Sequence, residues 1–190
     1  MEQAGTLSTK KGFVKNLVRA KYLLILALLI AAPASAGEYG AVFLKDFDGA
    51  AHSLEEYTGK GQWTVMMIWA SDCHACNAEA KQYVKFHTAH HEKDAALLGV
   101  SMDGNEMKDE ALKFIDRHDI NFPNLIDEPE NIARMYTNMT GKPWVGTPTF
   151  MIFSPSGELR AAQVGAVPPH IIESFIASES AVSQAGLRLP

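Results

Sequence analysis

The stretch Trp69-Ala70-Ser71-Asp72-Cys73-His74-Ala75-Cys76 joins an apolar, strand-like run, Trp63 to Trp69, to a segment with helical spacing. The chain has two cysteines, and both stand here as a Cys-x-x-Cys pair. In the first turn of a helix, that spacing lets two sulfurs close a short disulfide or stand apart as a dithiol. A helix start presents unpaired N–H groups and the positive end of the macrodipole. A thiolate there is stabilised, so the first cysteine becomes acidic and nucleophilic. The pattern points to redox exchange. Zinc is disfavoured, since a structural site takes four Cys or His ligands and no second cysteine pair exists.

Outward from the motif, the pattern alternates between strand and helix. Trp63 to Trp69 is rich in β-formers and reads as a strand covered on both faces. From Cys76 to His91, residues Ala80, Tyr83, Val84 and His87 recur at helical spacing. Ala95 to Ser101 reads as a second buried strand. Met107 to His118 reads as a helix with Leu112, Ile115 and Ala111 inward. Phe122 to Asp127 is a short extended piece limited by its proline, and Pro129 to Tyr136 is a short helix with proline at an early, permitted position. Thr149 to Phe153 and Leu159 to Val164 flank a Ser154-Pro155-Ser156-Gly157 turn and form a hairpin. Pro169 to Ala177 closes the domain as a helix, and residues 179–190 read as a flexible tail. Before the motif, Val42 to Gly49 reads as a strand entering a turn. Ser53 with Glu56 makes a capping box. The order predicts an α/β sheet covered on both faces.

The first 36 residues differ from the rest. Lys10, Lys11, Lys15, Arg19 and Lys21 form a basic flank with a single acid, Glu2. Tyr22 to Ala32 is uncharged and almost wholly aliphatic, and Pro33 precedes Ala34-Ser35-Ala36. This is the pattern of a secretory signal peptide, expected to be cleaved after Ala36. An uncleaved anchor is the alternative, although the run falls short of the ~20 apolar residues a spanning helix needs. The whole chain of 190 residues carries a formal charge of −5, and loss of Met1–Ala36 leaves −9. Such a surface argues against nucleic-acid binding, and against membrane contact other than through an uncleaved leader. In an oxidising compartment, a lone Cys-x-x-Cys is better read as a working pair than as a staple.

The motif, taken with Val145-Gly146-Thr147-Pro148-Thr149-Phe150-Met151-Ile152-Phe153 before a hairpin, resembles a thioredoxin fold. The leader, the Phe43-Leu44 to Ser53-Leu54 lead-in and Cys73-x-x-Cys76-x-x-Glu79 resemble the TlpA/ResA-like branch, bacterial thiol–disulfide oxidoreductases that work outside the cytoplasm. The resemblance spans most of Val42 to Ala177. It implies a thioredoxin-like domain over residues 37–178: a central mixed sheet with helices on both faces and an N-terminal extension. It makes Cys73 the exposed attacking thiolate, Cys76 the buried resolving thiol and Glu79 an acid able to move a proton during resolution. It further implies a cis Pro148, with the Thr147 loop facing the sulfurs and pairing with an extended substrate. Trp69 and His74 are grouped with that substrate side, although Trp69 is expected to pack rather than react.

No cofactor is expected beyond the Cys73–Cys76 disulfide, and no metal. The implied partners are proteins with disulfides or thiols, together with a membrane thiol electron donor. Reduction of specific partners is favoured, with haem-attachment cysteines of apocytochromes as one substrate class by family analogy. The implied location is the periplasm or another extracytoplasmic compartment. Three positions depart from relatives: Met67 replaces a buried aspartate of thioredoxin, and Asp72 and Ala75 stand where many relatives have Trp and Pro. Asp72 opposes a thiolate at Cys73 and a protonated His74 favours it, so the reduction potential is not assigned.

Alternatives are a disulfide donor or isomerase, and a non-enzymatic thioredoxin-fold copper(I) carrier. A peroxidase reading is weaker, because no T-x-x-C pattern occurs. His87, His90 and His91 share a helix face with metal-binding spacing, but a solvated helix end is the expected reading.

Overall fold

Seven strands and four α-helices follow one another in the computed structural model, which describes residues 41–186. They are β1 (Phe43–Lys45), β2 (Ala51–Ser53), β3 (Trp63–Trp69), α1 (His74–His90), β4 (Ala95–Ser101), α2 (Lys108–Arg117), β5 (Asn124–Ile126), α3 (Pro129–Thr140), β6 (Thr149–Phe153), β7 (Leu159–Val164) and α4 (Pro169–Gly186). The leader assigned to Met1–Ala36 lies outside the described residues. Among those described, no helix is long and apolar enough to cross a membrane.

One sheet holds all the strands in the order β2-β1-β5-β4-β3-β6-β7. β3 pairs parallel with β4 and antiparallel with β6, so the sheet is mixed, as expected for a thioredoxin-like fold. β3 is buried at every position. Successive strand side chains point to opposite faces. Val65, Met67 and Trp69 therefore pack with α1, α2 and α4 through residues such as Tyr83, Phe114 and Ile172. Met66 and Ile68 face the other way, onto Ile132, Met135, Tyr136 and Met139 of α3. A continuous apolar run was needed because both faces are covered.

Several boundaries and faces depart from the sequence reading. β2 was not anticipated: three residues, Ala51–Ser53, turn back on β1 after the Asp48-Gly49 turn. The capping box holds one turn of 3₁₀ helix over Leu54–Glu56, with Ser53 N–H donating to Glu56 Oε1 at 2.8 Å. In α2, Ala111 and Phe114 are buried, whereas Leu112 is exposed, since it lies on the opposite side of the turn. α3 continues past Tyr136 to Thr140 and ends at Gly141, which supplies the left-handed φ of 68° for the cap.

The expected tail at 179–190 is corrected over residues 179–186, which belong to α4, and its last four residues lie outside the described ones. Tertiary contacts hold this extension. Trp63 Nε1–H donates to Ser180 Oγ at 3.1 Å, and Arg160 donates to Glu179 Oε2 through Nε at 2.9 Å and Nη2 at 2.7 Å.

Two expected outcomes follow from the packing. Gly99 in β4 leaves room for the Asn124 side chain, whose Oδ1 accepts from Trp69 Nε1 at 3.0 Å; a Cβ at Gly99 would collide with that amide. Gly99→Ala should therefore cost about 1–3 kcal/mol in urea unfolding and alter the emission of Trp69. His87, contrary to the solvated reading, is buried, and its Nδ1 accepts from Leu97 N–H at 3.2 Å. Burial, with His91 beside it, holds its pKa below the ordinary 6.5. The unfolded chain then binds the proton more readily. The His87 contribution is thus complete above pH 6.5 and is lost as pH falls toward the lower folded value. His87→Gln should flatten the decline in unfolding free energy over that interval; an unchanged pH slope would contradict the assignment.

Candidate active site

The carboxyl end of β3 leads through Ala70-Ser71-Asp72 into Cys73, which is the N-cap of α1. Cys73 and Cys76 form a disulfide with a Cα–Cα separation of 5.2 Å. The backbone N–H of Cys76 donates to Cys73 Sγ at 3.1 Å, so the sulfur itself caps the helix. Cys76 is fully buried and Cys73 is half-buried. Two sulfurs of unequal exposure at a helix N-terminus can do sequential chemistry, with the outer one meeting another molecule.

The proline loop leads into β6, the neighbour of β3 in the sheet. Ile68 of β3 pairs with Thr149 of β6. Continuing that register one step sets Pro148 beside Trp69, and a second sets Thr147 beside Ala70, at the threshold of the cysteine loop. The Thr147–Pro148 peptide is cis. Pro148 is buried and its carbonyl accepts from Gly165 N–H at 2.8 Å. Thr147 is half-buried. The buried Thr149 hydroxyl accepts from Trp144 Nε1–H at 3.2 Å and donates to the Gly146 carbonyl. This clasp presents Val145, which is 74% exposed, at the loop's outer rim.

The other candidates fall in different places. His74 is exposed beside the disulfide. Trp69 packs, as expected, and its grouping with the substrate side is corrected: it is 2% exposed, its indole stacks on Phe114 at 4.3 Å, and its N–H is taken by Asn124. An aromatic at the end of a strand covered on both faces cannot reach a partner. Glu79 is half-buried on α1, one turn beyond Cys76, and lies 3.0 Å from the Tyr83 hydroxyl. That hydroxyl also lies 2.9 Å from the Val167 carbonyl, and burial together with Glu79 pushes the phenol well above its ordinary pKa. Tyr83 therefore remains a neutral donor beside the carboxyl.

Three residues that hold the cysteine loop were missed in the sequence. Asp103, just after β4, accepts from Ser71 N–H at 3.0 and 3.1 Å, from Ser71 Oγ at 2.9 Å and from Ser101 Oγ at 2.7 Å. Asn77 Nδ2 donates to the Ser71 and Cys73 carbonyls, both at 2.9 Å, and His118 Nε2 meets Asn77 Oδ1 at 3.0 Å. Asn77 directly after the motif was the one signal available, since a short amide there can reach back to the loop. Among the described residues, no group of three or more His, Cys, Asp or Glu side chains converges as a metal site, the His87–His91 stretch included.

A family model described as AhpC/TSA matches residues 38–162. The thiol-disulfide oxidoreductase ResA of Halalkalibacterium halodurans is 27% identical over 144 residues, covering 75% of this chain and 76% of that protein. The sporulation thiol-disulfide oxidoreductase A of Bacillus subtilis is 28% identical over 127 residues, covering 66% and 72%. Among solved structures, a secreted Mycobacterium tuberculosis disulfide oxidoreductase homologous to E. coli DsbE superposes with a TM-score of 0.57 at 21% identity, covering 72% of this chain and 94% of that one. The fold is shared with that protein.

Asp103→Ala should cost about 2–3 kcal/mol of stability, the usual worth of hydrogen bonds to a carboxylate. Asp103→Asn, which keeps the shape but loses acceptors, should cost less. Denaturant midpoints of the two variants check the order; equal and negligible losses would show that the loop is held without Asp103.

Proposed function

This chain belongs to the AhpC/TSA family, and on that footing we propose that it is a protein thiol–disulfide oxidoreductase that works outside the cytoplasm in the reductive direction. The observation that carries the reading is the Cys73–Cys76 disulfide at the mouth of α1; that Pro148 directly precedes β6, the strand paired with β3, supports it. The names of the ResA and sporulation oxidoreductase relatives support the activity. The signal-like residues 1–36 support export, with the thioredoxin-like domain as the exported part.

In the dithiol form, the Cys73 thiolate attacks one sulfur of a substrate disulfide. That S–S bond breaks, a substrate thiolate leaves and a mixed disulfide forms. Cys76, once deprotonated, attacks Cys73 Sγ and expels the second substrate thiolate. Two electrons have then passed to the substrate, and the protein holds the Cys73–Cys76 disulfide. Glu79, one turn beyond Cys76, is assigned the proton taken from the resolving thiol. Thr147 and Pro148 receive the extended segment around the substrate cysteine, with His74 at the rim. A membrane thiol donor returns the two electrons, and haem-attachment cysteines of apocytochromes are the substrate class that the ResA-like resemblance suggests.

A peroxidase would need a hydroxyl three residues before the attacking cysteine, where this chain has Ala70. The test is partner trapping. Cys76→Ala should accumulate mixed disulfides through Cys73, stable without reductant and released by dithiothreitol, whereas Cys73→Ala should accumulate none. Equal trapping by both variants would reverse or abolish the assigned roles.

A further inference from the structure

Asn77 lies one residue beyond the disulfide. Its side chain spans the loop that aims Cys73. The Nδ2 atom is 2.9 Å from the Ser71 carbonyl and 2.9 Å from the Cys73 carbonyl. Two acceptors require the two hydrogens of the amide nitrogen, which fixes the orientation of the group. Its Oδ1 then faces His118 Nε2 at 3.0 Å, so that ring nitrogen must carry a hydrogen. Nε2 donates whether the ring is neutral or charged, and the link persists in both states.

His118 is itself placed by packing at the end of α2. Its ring tilts against Phe114 at 4.6 Å, and Phe114 stacks on Trp69. The Cys73 carbonyl has a second donor, the backbone N–H of Asn77 at 3.0 Å. The Ser71 carbonyl receives only the Asn77 amide among the described hydrogen bonds. Without it, the Ser71–Asp72 peptide keeps no partner among the described hydrogen bonds, and only the preceding Ala70–Ser71 peptide is held, through the Asp103 carboxylate on the Ser71 N–H. The direction of Cys73 Sγ toward the Cys76 N–H depends on the Ser71–Asp72 peptide.

We propose that Asn77 and His118 are positioning residues for the redox pair, with His118 orienting the Asn77 amide and the amide fixing the loop so that the Cys73 sulfur meets the Cys76 N–H. The inference rests on the redox reading of Cys73 and Cys76. It concerns the reactivity of the thiol rather than the identity of any partner.

Wild type, Asn77→Ala, His118→Phe and His118→Gln are compared in the reduced state. The readouts are the rate of Cys73 alkylation by iodoacetamide, the equilibrium constant with glutathione, and thermal unfolding. Asn77→Ala should slow alkylation about ten-fold, since the thiolate loses a fixed donor. The reduced state should weaken by a similar factor against glutathione, a potential about 30 mV more negative for a two-electron couple. His118→Phe should show about a three-fold effect in the same direction. His118→Gln, whose amide can donate in place of the ring, should return to within about two-fold of wild type. A folded Asn77→Ala protein whose alkylation and equilibrium match wild type overturns the proposal. So does a His118→Gln protein no better than His118→Phe. If Asn77→Ala does not fold, the His118 pair decides alone. Failure of wild type itself to exchange with glutathione would instead remove the redox reading, so the two failures are distinct.

Discussion

The donation from the Cys76 backbone N–H to Cys73 Sγ, at 3.1 Å, is the interaction on which the rest of the site depends. It makes a sulfur the cap of α1, in the place usually held by a serine, threonine, asparagine or aspartate oxygen. When the disulfide opens, the same N–H and the helix dipole are already directed at the atom that gains charge. Little reorganisation is needed at that moment. Asp103 and Asn77 hydrogen-bond the loop that leads into that contact.

That contact stands at the end of β3, the strand whose two faces anchor both cores. Val65 and Met67 lock it to the α1 side, and Met66 and Ile68 to the α3 side. A strand held in this way has little freedom at its carboxyl end, which fixes where the cysteine loop begins. β6, paired with β3 over Thr64 to Ile68, delivers Pro148 to the same edge. The two halves of the site come from segments about seventy residues apart in sequence, joined by sheet register.

Features with local causes were legible in the sequence. The continuous apolar run of β3, the alternation of strands and helices and the Ser53–Glu56 capping box each follow from side-chain period or from contacts within four residues. So does the placement of Cys73 at a helix start. Tertiary hydrogen bonds were not legible. The Asp103 carboxylate and the His118 ring are separated from the loop by 32 and 41 residues, and no spacing announces them. His87, and the grouping of Trp69 with the substrate side, were misplaced for a related reason, because aromatic and imidazole rings suit either a rim or a core. Here the neighbours that bury them, Phe114 and Phe122, arrive from other elements. The C-terminal end of α4 reads as small and polar, yet Trp63 and Arg160 hold it.

The central claim is that the Cys73–Cys76 bond opens and closes as a working couple. A redox titration of the purified protein in thiol–disulfide buffers tests it most directly. The account predicts a reversible two-electron transition near the thioredoxin value of about −270 mV. A value near −120 mV would contradict the reductive direction. A bond that stays closed until well below about −300 mV, as inert structural disulfides do, would contradict the account itself.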